Sequence, residues 1–415
     1  MEKITPSINR SAPLDALRAL AVLLVLGGHF PETPAGWKGA PKPAWMELWE
    51  RCGWIGVDLF FVLSGFLVSG LLFREYGRFG EIRYGHFLAR RGFKIYPAFY
   101  FMLGTLLLYS AHMGRPSVGW PVFLSEMFFV QNYGPSLFPH TWSLAIEEHF
   151  YLLLPLLLLA VRGKKDRAFS RLPQLFIGVA VLALGARIGT TLTLDFRYKT
   201  HLFPTHLRID SLLFGVLLSW ATHFMPEVLE NVWTRFRWLF AIAAAALVAP
   251  VLCLQIGNGW YLQTIGLTGL YIASGVLLMF ALRWKSTWPP LAFIGAYSYS
   301  IYLWHIPVRF FGLAWVPSNA APLTRSAAYL ASAIVFGIVA AWVVERPFLA
   351  LRDRLFPTRS QSVASWLRGS LFDSHRAVDA EMPAFAQAKM VGKSGTLCEA
   401  RFSTTLPSQD RALKS

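Results

Sequence analysis

Residues 14–30 read LDALRALAVLLVLGGHF. The pattern is that of an apolar helix interrupted by Arg18 and His29, both inside what hydropathy marks as a membrane span. The two residues are eleven apart, about three turns of α-helix, so they project from one face about 16 Å apart along the axis. A charge in a lipid-embedded helix costs at least about 2.5 kcal/mol and is normally turned toward protein or an aqueous cavity. Two such residues on one face point to a polar lane through a helical membrane protein.

Composition agrees with that class. The chain has 415 residues, 55% hydrophobic and 15% charged, where a soluble domain carries about 25% charge. Mean hydropathy is positive. The net charge of +16 does not indicate nucleic acid, because the basic residues alternate with apolar runs and form no basic face. They read as cytoplasmic loop charges under the positive-inside rule. Cys52, Cys253 and Cys398 are odd in number and widely spaced, so no disulfide framework is expected. Leu14–Phe30 carries an internal arginine and no clear small-residue cleavage site, so it does not read as a signal peptide.

Taken in order, the chain reads as all-α and polytopic, with about ten transmembrane helices plus one re-entrant or interfacial segment and both termini cytoplasmic. Residues 1–13 form a cytoplasmic N-terminal segment. The membrane domain covers 14–350, and 351–415 reads as a disordered cytoplasmic tail. Spans are expected at about 14–30, 54–73, 95–111, 142–161, 173–193, 206–222, 238–257, 260–282, 291–313 and 325–344. The apolar stretch 118–131 is too short for a span of about 20 residues. A full crossing there would also throw Arg162, Lys164, Lys165 and Arg167 outside. Arg74, Arg78, Arg83, Arg90, Arg91 and Lys94 form the densest basic loop, with Pro97 opening the third span.

This topology gathers polar residues in the outer half of the membrane. Asp58 opens the second span, where a carboxylate suits the helix dipole. Trp142, Ser143, Glu147 and Glu148 open the span at 142–161. The two glutamates are adjacent and point about 100° apart, so at most one is expected to face the lane. Arg208 and Asp210 read as an ion pair or packing link, and His305 lies past the midpoint of its span. His29 has the ionisation range of a general base at neutral pH. His140, Glu147, Glu148 and His149 lack zincin spacing, and no metal site is expected. Arg90 and Arg91 act as topology determinants or lipid contacts, or as a bidentate grip on a phosphorylated donor.

Seven fragments in order complete the reading. They are LDALRALAVLLVLGGHF (14–30), GVDLFFVLSGFL (56–67), RRGFKIYP (90–97), TWSLAIEEHFYLLLP (141–155), RIDSLLFG (208–215), YSIYLWH (299–305) and VERP (344–347). Together they resemble the acyltransferase 3 family of integral-membrane acyltransferases, in a stand-alone membrane form. Lys94 stands where that family usually has arginine, and His149 where glutamine is common. The resemblance implies transfer of an acyl group, commonly acetyl from acetyl-CoA, to hydroxyls of glycans such as O-antigen, exopolysaccharide or peptidoglycan, or of macrolides. It implies that Arg18 and His29 are the critical pair of the first span and makes Glu147 the preferred carboxylate.

The expected enzyme is therefore an acyl-CoA-dependent O-acyltransferase of the bacterial inner membrane. Its partners are the lipid bilayer, acyl-CoA as co-substrate and a carbohydrate acceptor, with no bound cofactor and no nucleic acid. His29 is the base or a transient acyl carrier, with Glu147 orienting the imidazole or the sugar. Arg18, Arg90 and Arg91 take the donor. Asp58, Trp142, Ser143, Arg208, Asp210 and His305 support the acceptor. A transporter or flippase would share the lane and need no chemistry at His29.

Overall fold

The computed structural model describes residues 12–358, other than 34–37, 114–117, 164–167, 255, 258, 285–287, 314 and 318. The described residues up to Phe356 form one compact unit. The expected disordered tail begins at 351, yet 351–355 are helical, forming the end of a helix that starts at Arg346; residues 359–415, and 1–11 of the N-terminal segment, lie outside the described residues.

Among those residues the fold is helical and without strands. The helices are α1 (Ala12–Gly27), α2 (Ala44–Cys52), α3 (Ile55–Phe79), α4 (Tyr84–His112), α5 (Trp120–Met127), α6 (Trp142–Val161), α7 (Leu172–Thr193) and α8 (Tyr198–His201). They continue with α9 (Ile209–Phe224), α10 (Pro226–Cys253), α11 (Leu267–Ala281), α12 (Pro289–Ala296), α13 (Ser298–Phe311), α14 (Pro322–Ala340) and α15 (Arg346–Leu355). Short π-helical turns lead into α11 and join α14 to α15.

Six stretches are long and apolar enough to cross a membrane: Ile55–Phe79, Pro139–Val161, Leu172–Thr193, Pro226–Cys253, Leu262–Ala281 and Pro322–Leu355. The protein is a membrane protein by this measure, with six such stretches against the ten expected spans. The other expected spans fall on α1, α4, α9 and the α12–α13 pair. α1 and α9 have 16 residues each, about 24 Å at 1.5 Å per residue, short of a hydrocarbon core of about 30 Å. The expected span at 291–313 is broken at Tyr297, which joins α12 to α13. The stretch at 118–131 holds only the eight-residue α5, about 12 Å long, too short to cross a hydrocarbon core of about 30 Å.

The basic loop is also corrected. α3 runs on to Phe79 and α4 begins at Tyr84, so most of those cations sit on helices flanking a four-residue turn. Hydropathy marks where a helix leaves apolar surroundings, not where its hydrogen bonding stops. Pro97 lies inside α4. Lacking an N–H, it removes one helical hydrogen bond without ending the helix. α10 begins at Pro226, well before the expected position 238, because proline at a helix start uses a position whose N–H needs no partner.

α3 is the central strut. Of its most apolar stretch 72% is buried, against 11% for α7 and α10, whose apolar side chains face outward. α3 crosses α9 at Gly65 and Gly215. A Cβ at Gly65 would stand 1.9 Å from the Leu212 carbonyl oxygen, and one at Gly215 would stand 2.2 Å from that of Val62. Only glycine permits this approach. At Gly295 a Cβ would stand 1.6 Å from the Asp15 carbonyl oxygen, so α12 lies directly against α1. The core fills the space between with Val22, Leu26, Phe61, Phe99, Phe150, Leu154 and Ile301, among others.

Candidate active site

α1 ends at Gly27, and the following turn carries His29, whose backbone N–H bonds the Leu26 carbonyl. The His29 Nδ1 lies 2.9 Å from the Val25 carbonyl oxygen. A carbonyl can only accept, so Nδ1 carries the proton and the lone pair of the neutral ring is on Nε2. The backbone thus fixes the tautomer a general base requires.

His29 is joined by two further imidazoles. His305 meets it edge-on with centroids 5.0 Å apart, and His140 meets His305 edge-on at 5.0 Å. His305 Nδ1 donates to the Tyr302 carbonyl at 2.5 Å, and His140 Nε2 donates to the Leu303 carbonyl at 3.0 Å. His305 Nε2 and His140 Nδ1 are buried and have no partner. Each of the three rings therefore spends its N–H on a backbone carbonyl and keeps one basic nitrogen free. The sequence carries no periodic signal for His140, which reaches the site from the short 3₁₀ turn before α6. Among the described residues no three His, Cys, Asp or Glu side chains converge as a metal site.

Arg18 lies within α1, on the wall of a cavity of about 550 Å³ that His29 does not line. The wall also carries Arg74, Arg91, Lys94, Glu147 and Glu148. Both glutamates thus reach one space, against the expectation that only one could, because the cavity wraps around the first turns of α6. Glu147 accepts from the Tyr151 hydroxyl at 2.5 Å, and Ser64 lies 2.6 Å from that hydroxyl. With the tyrosine proton committed to Glu147, Ser64 donates to Tyr151. Glu148 accepts from Tyr96 at 3.0 Å. Glu147 is therefore tied to Tyr151 rather than to the His29 imidazole.

The paired arginines of α4 divide. Arg90 pairs with Asp353 at 3.1 Å and donates to the Phe356 carbonyl, which ties α4 to α15. Arg91 turns into the cavity, its guanidinium over the rings of Phe87 (5.7 Å) and Tyr151 (5.5 Å). Arg18 has Asp15 as a distant partner at 3.5 Å.

Tyr302 links the two regions. It lines the cavity while its ring touches His305 and His140. Its hydroxyl donates to the His140 carbonyl at 2.8 Å and receives the Ser143 hydroxyl at 2.5 Å. Ser143 also lines the cavity.

The remaining polar residues form two buried ion pairs with swapped partners. Arg208 bonds Asp58 at 2.8 Å, and Asp210 pairs with Arg187. The expected Arg208–Asp210 pair does not form, since residues two apart at a helix start point in different directions. Sequence reasoning misses Arg187, which is buried in the apolar α7. A lone arginine in an apolar span is itself the signal. Arg208 also lies 5.7 Å from the ring centres of Phe61 and Trp142, and Trp142 stacks on Phe203 at 4.8 Å. Asp58 therefore serves a tertiary pair across α3 and α9, not only its own helix dipole.

Known proteins are similar to this chain over most of its length. Residues 12–346 match the acyltransferase 3 family model, described as an acyltransferase domain. A protein of Staphylococcus aureus (strain MRSA252), provisionally named O-acetyltransferase SAR0937, is 28% identical over 86% of this chain and 60% of its own. The provisionally named peptidoglycan O-acetyltransferase YrhL of Bacillus subtilis (strain 168) is 28% identical over 71% of this chain and 48% of its own. O-acetyltransferase OatA of Staphylococcus aureus (strain NCTC 8325 / PS 47) is 27% identical over 72% and 50%. The chain spans about half to three-fifths of the length of these relatives. No solved structure matches it. With the family model covering most of its length, the chain belongs to the acyltransferase 3 family.

Proposed function

We propose that this chain is a multi-pass O-acyltransferase of the bacterial plasma membrane, with both termini cytoplasmic. It moves acetyl from acetyl-CoA to a hydroxyl of a cell-surface or exported glycan. The observation that carries the reading is the arrangement along α1: a base with its tautomer fixed at one end and an arginine on a cation-lined cavity at the other. The names of the relatives, two of them peptidoglycan or general O-acetyltransferases, support oxygen as the acceptor atom.

In this reading the donor enters the cavity, its anionic part near Arg91 and Arg18, and the thioester passes Tyr302 and Ser143 toward His29. His29 Nε2 takes the proton of the acceptor hydroxyl as the oxygen attacks the thioester carbonyl. The C–S bond breaks, and the imidazolium returns the proton to the leaving thiolate, so no net proton is produced. A variant has Nε2 itself carry the acyl group between donor and acceptor. Glu147, tied to Tyr151, acts on the donor side, while His305 and Tyr302 hold the surroundings of His29.

The test is incubation of the purified protein in lipid with radiolabelled acetyl-CoA and a cell-wall or exopolysaccharide acceptor. Label on glycan oxygen, released by mild base, is the expected result. Label that remains in the donor pool, with glycan moved across vesicles, would instead indicate a flippase.

A further inference from the structure

His149, which stands where the family commonly has glutamine, belongs to a group of rings that the proposed transfer does not use. Tyr133 follows α5, and His206 lies in the short 3₁₀ turn Thr205–Leu207 before α9. The Tyr133 hydroxyl and His206 Nδ1 are 3.0 Å apart, and the two rings lie within 14° of parallel with centroids 6.0 Å apart. With the hydroxyl in bond contact at that separation, the rings stand side by side and not one above the other. They present one broad, flat face. Tyr133 is 56% exposed, and His206 is exposed as well. His149 backs the tyrosine, with its ring 29° from parallel and its centroid 6.4 Å away.

Buried polar contacts hold this face in place. The Thr205 hydroxyl lies 2.7 Å from His149 Nδ1 and accepts from the Asn132 amide at 2.9 Å. The same amide donates to the Phe203 carbonyl at 3.2 Å, while Gln131 donates to the Thr141 carbonyl at 3.0 Å, beside His140. Residues 131–133 thus join the ring pair to the turn that brings His140 to His305, and His305 in turn meets His29. In the proposed orientation the ends of α6 and α9 that this bridge connects are the outer ones, where a surface glycan arrives. Among the described residues neither Tyr133 nor His206 meets a ring of the imidazole cluster. A sugar lying on the pair is therefore not the one whose hydroxyl His29 serves.

The C–H face of a pyranose carries slightly positive hydrogens that pack on the negative face of an aromatic ring. Its hydroxyls then reach the rim, where the Tyr133 hydroxyl and the imidazole edge both donate and accept. A lipid chain would cover the faces and leave those polar edges unpaired. We infer that Tyr133 and His206 form an acceptor subsite that holds one sugar of a linked glycan while a neighbouring sugar is acylated at His29. The inference rests on the O-acyltransferase reading and adds to it that the acceptor is a chain of linked sugars rather than a single one.

Binding is measured first without donor, by titrating a tetrasaccharide released from cell-wall glycan by muramidase into protein in phosphatidylcholine nanodiscs. Wild-type protein is compared with Tyr133→Ala, Tyr133→Phe and Tyr133→Trp. Tyr133→Ala should weaken binding about tenfold, as for loss of one aromatic packing surface. Tyr133→Trp, which keeps a flat ring, should recover part of it. Tyr133→Phe, which keeps the ring but cuts its tie to His206, should fall between wild type and Tyr133→Ala. In turnover, Tyr133→Ala should raise KM for the tetrasaccharide with little change in kcat and none in KM for acetyl-CoA. Absence of tetrasaccharide binding by wild-type protein, or equal binding by wild type and Tyr133→Ala, would overturn the subsite. A Tyr133→Ala defect confined to membrane insertion would also overturn it and mark the ring as an interfacial anchor. Transfer with an unaltered tetrasaccharide KM in Tyr133→Ala removes the subsite and leaves the acyltransferase reading standing. Tyr133-dependent binding without any transfer does the reverse.

Discussion

The rings of His29 and His305 meet edge-on with centroids 5.0 Å apart, although 276 positions separate them in the chain. The contact joins the end of α1 to the middle of α13. It sets the base beside a second imidazole whose Nε2 is buried and unpartnered. An acceptor hydroxyl has one proton and so donates to one of the two free nitrogens at a time.

Replacing His29 with alanine should lower transfer by about a hundred- to ten-thousand-fold, the usual contribution of a positioned base. Expression and membrane insertion should be retained. Acetyl release from radiolabelled acetyl-CoA is the measurement, and near-normal product formation would remove both the base and the acyl-carrier roles.

His305→Ala should act through position. The His29 ring loses its edge contact, and kcat should drop about ten- to a hundredfold, as small misplacements of reacting groups do. KM for acetyl-CoA should stay near wild-type, because His305 does not line the donor cavity. A rise in donor KM with kcat preserved would contradict this placement.

Arg90 and Arg91 should separate in a parallel assay. Arg91→Ala should raise KM for acetyl-CoA about tenfold, since its guanidinium faces the cavity. Arg90→Ala should leave that KM near wild-type and instead loosen α15, read as faster proteolysis near Asp353, because Arg90 bonds Asp353 and the Phe356 carbonyl.

Loss of one member of the Arg187–Asp210 pair leaves the other buried and uncompensated, at a cost of about 3–5 kcal/mol. Asp210→Leu and Arg187→Met should each lower the melting temperature in detergent. The double variant should be more stable than either single one, since an apolar pair of similar volume fills the space without a stranded charge. Additive losses would show that the pair is not the interacting unit.

Much of this organisation is legible in the amino-acid sequence. Arg18 lies on α1 as the apolar pattern predicts, but the helix ends at Gly27, short of His29, which the next turn carries. The short α5 follows from a stretch too brief to cross. Helix ends are less legible. Residues 74–79, 84–94 and 226–237 are charged yet helical, because backbone hydrogen bonding does not require apolar side chains. The partner of each charge is not readable: Arg208 takes Asp58, 150 residues away, over Asp210, two away. Nor is the convergence of His140 on His305, which depends on how the turn before α6 packs on α13.

Hydropathy, loop charge and one helical period thus account for the membrane class, the helical fold and the placement of Arg18 on α1, with His29 just past its end, since these are local properties of the chain. The packing of α3 on α9 at Gly65 and Gly215, and of α12 on α1 at Gly295, decided the rest. It separated His29 from the cavity that Arg18 lines, turned Arg91 inward and Arg90 outward, and brought three imidazoles together. Those outcomes depend on contacts between residues tens to hundreds of positions apart, for which no local pattern in the chain carries a signal.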